Sequence, residues 1–489
     1  MAPDVLYIHP AKQEVGARYD KYIPSPPYLL IPVGVIGLAN LLREQGLGVR
    51  GLNLPLELIL EPAFDVRAWL TEQGAPELVM IDLHWYEHSF GALDVARLCK
   101  EVYPELPVLL GGISASIFAG EILERFPQVD LIIRGDAEEP LQQMMAGESL
   151  ASIPNLAYRD GDSIVENDLV YCATSKELDR LDFVNTDFLE HRDSYASMQY
   201  SGAGIIRDDA RRGHWLSIGR GCVFDCSFCG GGKTAHNQFA GRKGLILRSV
   251  ERVIEDIERL QARSIHQVSF SLDPAIVGPE YWRPLFEGLQ RREVRIGLYN
   301  EFFQLPSDEF LRLFTESADL SHSEVAITPL SGDEKVRRLN GKFFSNRRLF
   351  QVLSWLRRHQ VPIFVYFSIN LPGETERTFH HTIKLARQIV RYYPGELLRM
   401  HNMCHTLDPL SPMSLVPDRY GIKVGMHSFM DYYHYCQRTT YARPDVARGN
   451  WRGFRDANRR QEEVEAMARQ WDEFCPQQEF RCYRVPWGW

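Results

Sequence analysis

The chain has 489 residues, of which 45% are hydrophobic and 24% charged, a composition typical of a globular protein with two or three domains. Its net charge of −9 argues against non-specific nucleic-acid binding. The longest apolar stretch, residues 28–42, is short for a membrane span and contains Pro32 and two glycines. Nine cysteines without an even-spaced framework indicate a reducing compartment. Because no signal sequence is apparent, we expect a cytoplasmic location and no membrane partner.

Residues 1–147 alternate short apolar runs with amphipathic segments. The predicted strands cover residues 5–8, 49–54, 78–82, 108–110 and 131–133, and the predicted helices cover residues 33–44, 91–102, 115–125 and 139–145. Apolar strands separated by helices indicate a parallel sheet covered on both faces. Five such strands predict a flavodoxin-like doubly wound α/β domain, which binds ligands at the carboxyl ends of its strands.

Three further segments follow this domain. Residues 148–212 are predicted to be a linker, with a small hairpin over 158–165 whose turn contains Gly161. Residues 213–405 again alternate strands and helices. The six predicted strands cover residues 215–218, 267–272, 295–299, 324–328, 363–369 and 397–401, and the clearest helices cover 249–262 and 347–359. Six units are fewer than a full eight-unit barrel. Residues 406–489, dense in aromatic residues and arginine, are predicted to be mostly helical.

Three cysteines with close spacing are the strongest chemical signal in the chain. Cys222, Cys226 and Cys229 form a C-x3-C-x2-C run between glycines, without a fourth cysteine nearby. A closed zinc site takes four ligands, and an electron-transfer [4Fe–4S] cluster also takes four. Three thiolates would therefore leave one iron open to a substrate or cosubstrate. A zinc site completed by His236, or three free structural cysteines, are the alternatives.

This cysteine loop resembles that of the radical S-adenosylmethionine (SAM) superfamily, in which it binds a [4Fe–4S] cluster and SAM chelates the fourth iron. Phe228 matches the aromatic residue that lies beside the adenine in that family. The resemblance covers about residues 215–420 and implies a partial (β/α)6 barrel. It also implies that residues of the cysteine loop and of the strand ends bind SAM, namely Gly230, Ser271, Asp273, Glu301, Ser331, Asn370 and Gly373. Ordinary turn chemistry is the alternative for these residues.

A flavodoxin-like domain directly before such a barrel resembles the cobalamin-dependent (B12-binding) radical SAM enzymes. Gly111 and Gly112 match the glycine pair that lets the cobalamin tail approach the backbone. The implied cobalamin site consists of His9, His84, Trp85, Gly111, Gly112, Gly135 and Glu138. The Asp-x-His-x-x-Gly element of the His-on cobalamin proteins is missing after the first strand, where His9 stands. Three roles are open for His84: a cobalt ligand, a residue that lines the cofactor pocket, or a structural histidine. Two roles are open for Trp85 and Tyr86: packing on the corrin face or in a domain interface.

The resemblance implies a C-methyltransferase that acts on an unactivated carbon, with one SAM methylating cobalamin and a second SAM giving a 5′-deoxyadenosyl radical. The strand carboxyl ends of both domains must then face each other across the substrate. A radical SAM oxidoreductase, cyclase or rearrangement enzyme is the first alternative, and a non-catalytic Fe–S protein is the second. The expected partners are a small-molecule or peptide substrate and an external low-potential electron donor. Cys404 could be a pocket thiol, and Cys475 with Cys482 could add an auxiliary ligand.

Overall fold

The structure is a computed structural model that describes residues 2–16, 28–201, 210–404, 406–440, 453–456 and 461–475. Within these ranges, no helix has both the length and the apolar character needed to cross a membrane. Cys482 and the side chain of Cys404 lie outside the described residues. The interpretations given above for these two thiols therefore stay predictions.

The amino-terminal part of the chain forms one seven-stranded sheet. Its strands are β1 (Val5–His9), β2 (Val49–Asn53), β3 (Leu78–Asp82), β4 (Val108–Gly111), β5 (Leu131–Ile133), β6 (Leu156–Asp160) and β7 (Ser163–Glu166). Their order in space is β2-β1-β3-β4-β5-β6-β7, and the first five run parallel. This is the flavodoxin-like order, with its switch point between β1 and β3. The predicted doubly wound fold is confirmed.

Both faces of this sheet are covered because alternate residues of each strand point to opposite faces. Leu6 and Ile8 pack into one apolar core, whereas Val5 and Tyr7 pack into the other. The helices of this part are α1 (Val33–Glu44), α2 (Leu54–Leu60), α3 (Val66–Gln73), α4 (Ser89–Val102), α5 (Ile113–Ile117), α6 (Ala119–Arg125), α7 (Glu138–Met145), α8 (Ser175–Arg180) and α9 (Arg192–Met198). One helix was predicted over 115–125, but Phe118 leaves helical geometry (φ −115°, ψ 25°) and separates α5 from α6.

The hairpin expected in the linker extends the first sheet. Strand β6 pairs antiparallel with β5, so that Leu156 lies opposite Ile133 and Tyr158 opposite Leu131. Leu156, Ala157 and Tyr158 are all buried. They cover the edge of β5, which would otherwise leave its backbone groups unpaired. The predicted hairpin is therefore present, but it belongs to the first sheet and not to a linker. The domain boundaries at residues 147 and 212 stay predictions.

The second sheet has six parallel strands in the order β8-β11-β12-β13-β14-β15. The strands of this part are β8 (Gly213–Leu216), β9 (Gly219–Arg220), β10 (Ile246–Leu247), β11 (Gln267–Phe270), β12 (Gly297–Phe302), β13 (Glu324–Leu330), β14 (Ile363–Ile369) and β15 (Leu398–Cys404). Because chain order and spatial order agree, each strand lies beside the next, as in a barrel wall. Among the described residues β8 and β15 are the two edges, so the barrel is open, as predicted.

Helices cover the outer face of this open barrel. They are α10 (Lys233–Ala240), α11 (Val250–Ala262), α12 (Pro279–Arg291), α13 (Asp308–Ser317), α14 (Glu334–Leu339), α15 (Asn346–Arg358) and α16 (Glu376–Tyr392). Most are amphipathic and bury one stripe against the strands. In α16, for example, Phe379, Ala386 and Ile389 are fully buried. The loops that carry the predicted site follow the carboxyl ends of these strands.

The carboxy-terminal part contacts both sheets. Its elements are α17 (Pro412–Leu415), α18 (Pro417–Tyr420), β16 (Ile422–Val424), α19 (Phe429–Thr440), β17 (Phe454–Asp456) and α20 (Gln461–Phe474). The amide of Phe429 donates to Glu121 of the first domain at 2.6 Å. Trp471 of α20 packs on Phe367 of the barrel, with ring centroids 5.7 Å apart. The predicted helical character is confirmed, and the aromatic run over 426–436 serves helix packing.

A buried ion-pair cluster joins the two sheets. Asp136, which follows β5, accepts a hydrogen bond from Arg220 at 2.8 Å and another from Arg242. Arg220 also pairs with Glu138. Asp136 and Arg242 are only 4% and 3% exposed. Burial by itself would raise the pKa of Asp136, but the two arginine charges outweigh it and lower that pKa to about 2. The carboxylate is therefore charged throughout the physiological range.

The substitution Asp136→Asn should destabilise the joint between the domains. It leaves the buried Arg242 without its charged partner, which costs about 3–5 kcal/mol for a buried pair. Urea unfolding at neutral pH measures the loss. Asp162→Asn, in the exposed hairpin turn, is the matched control and should change stability by less than about 0.5 kcal/mol.

The pH dependence supplies a second readout of the same variant. Because the folded-state pKa of Asp136 lies below its ordinary value of 3.8, its contribution is present above pH 4 and lost as the pH falls toward 2. The Asn variant should lack this part of the acid dependence. Equal acid dependence in variant and parent would contradict the assignment.

Candidate active site

The cysteine loop connects β9 to α10 at the carboxyl edge of the open barrel. The amide of Phe224 donates to the sulfur of Cys222 at 3.4 Å, and the amide of Gly231 donates to the sulfur of Cys229, also at 3.4 Å. Such amide donors stabilise thiolates and tune the potential of a cluster that they hold. Burial raises the pKa of the Cys229 thiol to about 12, so loading with metal must displace a proton from this sulfur.

Two neighbouring segments hold the loop from both sides. Ser227 donates its hydroxyl to the buried Asn340 at 2.5 Å, and the amide of Met413 donates to the carbonyl of Ser227 at 2.9 Å. Gly341 has a φ of +92°, and a Cβ atom there would lie 2.8 Å from the Cα of Cys226. Only glycine fits both that backbone conformation and that close approach.

The arrangement of the three thiols fits a cluster better than a single ion. Among the described residues, the one group of three His, Cys, Asp or Glu side chains with all ligand atoms within 4.8 Å of one another is His9, Asp82 and His88. At least two of the three cysteine sulfurs therefore lie more than 4.8 Å apart, farther than two ligands of one zinc ion. His236 lies instead beside Arg242, with its Nδ1 atom 3.0 Å from the guanidinium. The donor set thus fits an iron–sulfur cube with one open iron.

Several predicted SAM residues do lie at the strand ends of the barrel, as expected. Asp273 follows β11 and caps a turn, accepting from the amides of Ala275 at 2.9 Å and Phe303 at 2.8 Å. Burial raises its pKa to about 7. Burial also raises the pKa of Glu301 on β12. Ser271 is exposed at the end of β11. Each oxygen of Asp273 accepts one backbone amide and has further acceptor capacity. Asp273 thus shapes this loop, and its contact with SAM stays a prediction.

Ser331, Asn370 and Gly373 follow β13 and β14 at the same edge. The hydroxyl of Ser331 lies 3.2 Å from that of Thr382. Asn370 adopts a left-handed conformation (φ +68°), and its backbone N–H donates to the side-chain carboxylate of Glu374 at 3.0 Å. Gly373 also has a positive φ. The turn over 370–374 is therefore built by its own side chains, and its carboxyl-edge position agrees with the predicted support of SAM.

Two residues near the cysteine loop were missed by sequence reasoning. Lys342 donates to the carbonyl of Phe303 at 2.8 Å, and its charge counteracts the effect of burial on the pKa of Cys226, so it lies close to that thiol. Asp408 accepts from the amide of Gly230 at 3.1 Å. Burial, reinforced by Glu87, raises the pKa of Asp408 to about 7. In the sequence, Lys342 stands out only as part of a Gly-Lys pair and Asp408 only as part of an Asp-Pro turn. Both patterns are common outside active sites.

The other missed contacts lie in the first domain, around His9. Its Nδ1 atom lies 2.9 Å from Asp82, and its Nε2 atom lies 3.1 Å from the carbonyl of Tyr28. The hydroxyl of Tyr7 also donates to Asp82, at 2.6 Å. Both ring nitrogens of His9 thus have partners within the protein, and the ring helps to position the segment around Tyr28. Its contact with cobalamin stays a prediction.

The strand ends of β3 and β4 form an open cradle. Gly111 has no atom within 4 Å of the position that a Cβ would take, whereas a Cβ on Gly112 (φ +108°) would lie 2.7 Å from the backbone of His84. Burial lowers the pKa of His84 to about 4, so this ring is neutral. Trp85 contacts the rings of Tyr28 and His84, with centroids 4.5 and 4.6 Å away. These residues fit a flat, neutral cofactor lying on Gly111.

Gly135 and Glu138, also predicted to bind cobalamin, lie in the interdomain joint. A Cβ on Gly135 would come within 2.9 Å of the Cα of Ala240, and the carboxylate of Glu138 pairs with Arg220. Both positions follow β5 as expected, but α10 of the barrel occupies the space next to them. Their contact with cobalamin stays a prediction.

Tyr86 is buried against Tyr432, and Cys475 lies in the outer core of the barrel, so neither lines the cradle.

The carboxyl ends of strands from the two domains lie near each other. Asp136, which follows β5, binds Arg220, two residues before Cys222. The hydroxyls of Tyr86 and Thr406 form a hydrogen bond across the same boundary. The cysteine loop stands at one of these edges and the Gly111 cradle at the other, and we call the space between them the chamber.

Comparison with known families agrees with this arrangement. The radical SAM superfamily matches residues 216–386, and the B12 binding domain matches residues 21–144. This chain joins a B12-binding domain to a radical SAM domain. The radical SAM domain implies a [4Fe–4S] cluster with SAM, and the B12-binding domain implies cobalamin. These matches favour the cluster over the alternatives of a zinc site and of unrelated free cysteines.

Among curated proteins, this B12-binding radical SAM chain is 24% identical to the anaerobic magnesium-protoporphyrin IX monomethyl ester cyclase of Cereibacter sphaeroides, over 60% of this chain and 47% of that protein. It is 25% identical to the hopanoid C-3 methylase of Methylococcus capsulatus, over 56% of this chain and 48% of that protein. The chain thus spans about half the length of these relatives.

Among solved structures, the methyltransferase TsrM from Kitasatospora setae, with cobalamin and a [4Fe–4S] cluster bound, superposes with a TM-score of 0.67. The identity is 16%, and the match covers 99% of this chain and 91% of that one. The cobalamin-dependent radical enzyme OxsB gives a TM-score of 0.56 at 14% identity, over 91% of this chain and 58% of that one. At these identities the likeness shows the shared fold.

The substitution Gly341→Ala should impair cluster assembly. It adds the strain of a left-handed alanine, about 1–2 kcal/mol, and also pushes a methyl group against Cys226. Iron content after anaerobic reconstitution measures the effect. Gly421→Ala is the matched control because Gly421 has a φ of +63° and open space around its Cβ position. Equal iron content in the two variants would show that the contact with Cys226 has no influence.

The substitution Gly111→Val should remove corrinoid binding and leave the fold intact. The protein has room for the valine side chain, which would occupy the cradle. We expect at least about tenfold weaker binding, equivalent to about 1.4 kcal/mol, measured from the corrin absorption retained after gel filtration. The iron–sulfur absorption of the same sample is the internal control. Full retention of the corrinoid would contradict the position of the cradle.

Proposed function

We propose that this protein is a cobalamin-dependent radical SAM enzyme and that it methylates an unactivated carbon atom. The observation that carries the proposal is that the three-thiol loop and the Gly111 cradle stand at the carboxyl strand ends of two domains that contact each other through Asp136 and Arg220. Similarity to hopanoid C-3 methylase and to the cobalamin-dependent radical SAM methyltransferase TokK of Streptomyces tokunonensis, at 26% identity over 32% of this chain, favours methyl transfer.

When bound, the cluster supplies a low-potential electron for SAM cleavage and the corrinoid carries the methyl group. The residues of this chain supply the geometry. The amides of Phe224 and Gly231 support the thiolates, and Gly341 lets the adjacent backbone approach Cys226. The turn over 370–374 and the capped loop at Asp273 shape the space in which SAM would lie.

Some side chains of the barrel strands point toward the inside of the barrel. Leu298 and Phe302 of β12 and Leu398 and Met400 of β15 pack into the core on the helix side, so Glu301 and His401 point to the opposite face. Burial lowers the pKa of His401 to about 4, so its imidazole is neutral, and burial raises the pKa of Glu301. Exclusion of water from this face would protect a reactive carbon radical.

A second candidate function is a radical oxidation or ring closure without methyl transfer. It is favoured by the similarity to the magnesium-protoporphyrin cyclase, which covers 60% of this chain. Both candidates share the same cysteine loop and cradle. They differ in the fate of the SAM methyl group, which the experiment below follows directly.

We further propose that the enzyme works in the cytoplasm with an external electron donor and without nucleic acid. The nine cysteines include no even-spaced framework, and the net charge is −9. The first feature supports the cytoplasmic location, and the second supports the absence of nucleic acid. The electron donor follows from the need of the cluster for a reductant.

Cys226→Ala should abolish SAM cleavage. Loss of one of three cluster thiolates should reduce turnover by more than about a hundredfold, because even indirect perturbations of metal ligands cost about 10- to 100-fold. Anaerobic incubation with methyl-deuterated SAM and candidate metabolites, followed by mass spectrometry, measures SAM cleavage and methyl transfer together. Cys99→Ala, in the core of the first domain, is the control.

Three outcomes of this experiment are informative. Deuterated methyl groups in a product support the methyltransferase. An oxidised or cyclised product without deuterium supports the second candidate. Undiminished SAM cleavage by Cys226→Ala would contradict both functions.

A further inference from the structure

The large hydrophobic side chains on the protein surface are unevenly distributed. Among the described residues, six such side chains are exposed, namely Val170, Val223, Leu339, Phe343, Leu415 and Val416. All but Val170 belong to the cysteine loop or to the two segments that hold it. We call these five residues the apolar rim. Single exposed hydrophobic residues are ordinary, but a group beside one cofactor loop indicates an interaction surface.

The contacts of each segment place the rim around the cysteines. Val223 directly follows Cys222. Leu339 and Phe343 flank Gly341, whose backbone touches Cys226. Leu415 and Val416 follow Met413, which binds the carbonyl of Ser227 through its amide. Because all five side chains are exposed, the rim lies on the solvent side of the loop and of the two segments that contact it.

The charges among these segments are mostly positive. Five exposed basic residues have no ion pair among the described residues: Lys233, Lys335, Arg338, Arg347 and Arg419. Three exposed carboxylates accompany them: Asp225, Glu334 and Asp418. Asp225 accepts the amide of Thr234, and Glu334 accepts that of Asn346. In a chain of net charge −9, a surface with more cations than anions favours an acidic partner.

We propose that the apolar rim is the docking site of a small acidic one-electron carrier protein that reduces the iron–sulfur cluster. This inference rests on the proposed function, because the cluster needs a reductant only if it cleaves SAM. One electron leaves the reduced carrier and one enters the cluster; no bond forms or breaks in this step, and no proton moves. Interfaces of transient electron-transfer partners are small, which suits five apolar residues within a cationic surround.

Binding of reduced flavodoxin, used as the acidic carrier probe, tests the proposal on the reconstituted full-length protein. Phe343→Asp and Val416→Asp place a negative charge at opposite sides of the cysteine loop, on side chains that are 59% and 49% exposed. We expect each to weaken binding by about tenfold, the effect of a moderate hot spot. Val170→Asp, at the 73% exposed position outside the rim, is the matched control and should bind as the parent does.

Two further measurements separate docking from other roles of the rim. SAM cleavage driven by titanium(III) citrate should be unchanged in both rim variants, because a small chemical reductant does not need the docking site. Flavodoxin binding by the parent should weaken as the ionic strength rises, since exposed charges are screened over about 8–10 Å at physiological salt.

The proposal is overturned if the two rim variants bind flavodoxin as tightly as the parent. It is also overturned if they lose cleavage driven by titanium(III) citrate, since the rim would then support the cluster itself. A parent protein that forms dimers through the rim, shown by sedimentation, and that does not bind flavodoxin would assign the surface to a second copy. Absence of SAM cleavage in the parent with titanium(III) citrate would instead refute the proposed function, and the binding assay would still decide whether the rim docks an acidic carrier.

Discussion

A single buried carboxylate determines how the two halves of this protein face each other. Asp136 follows β5 and forms ion pairs with Arg220 and Arg242 of the barrel domain. These contacts must offset the free-energy cost of removing all three charged groups from water. An apolar interface between the domains could give comparable stability, but it would restrict their relative orientation less than hydrogen-bonded ion pairs do. The charged cluster favours one orientation, because an alternative packing would leave the buried guanidinium of Arg242 and the partly buried one of Arg220 without their acceptor. Arg220 lies only two residues before Cys222, so the joint also anchors the start of the cysteine loop.

The cysteine loop depends on packing from outside its own sequence. Asn340 and Gly341 come from the segment after α14, Met413 and Asp408 from the segment after the barrel, and all four contact the loop or its flanking glycine. A loop of eight residues with four glycines at or next to its ends has little stability of its own. Its shape is imposed by these neighbours, which themselves belong to the carboxyl edge where a cosubstrate would bind. Changes at that edge are therefore transmitted to the thiols through short, buried contacts.

Sequence reasoning succeeded where the signal is local. The apolar strands and the C-x3-C-x2-C spacing are each encoded within a few residues, and the strands and the doubly wound order were predicted correctly. The open barrel was predicted from the family resemblance. The sequence was less informative where the role of a residue depends on a distant partner. Glu138 follows β5 as expected, but its place in the joint depends on Arg220, 82 residues away. The hairpin at 156–166 has an ordinary turn signature, whereas its pairing with β5 follows from an edge that only the folded sheet creates. Lys342 and Asp408 carry no motif at all, and their importance comes from what the fold places beside them.

The environment of His9 explains how the first domain can keep a cobalamin-type fold without a histidine ligand from its β1 loop. In this chain both ring nitrogens have fixed partners, Asp82 and the carbonyl of Tyr28, and the ring is fully buried. Freeing one nitrogen for cobalt would break a buried hydrogen bond, which is costly. The same two bonds fix the segment that brings Tyr28 against Trp85 at the wall of the cradle. The histidine thus holds the aromatic wall in place, and a flat cofactor would be retained by the shape of the Gly111 cradle and by contact with neutral rings.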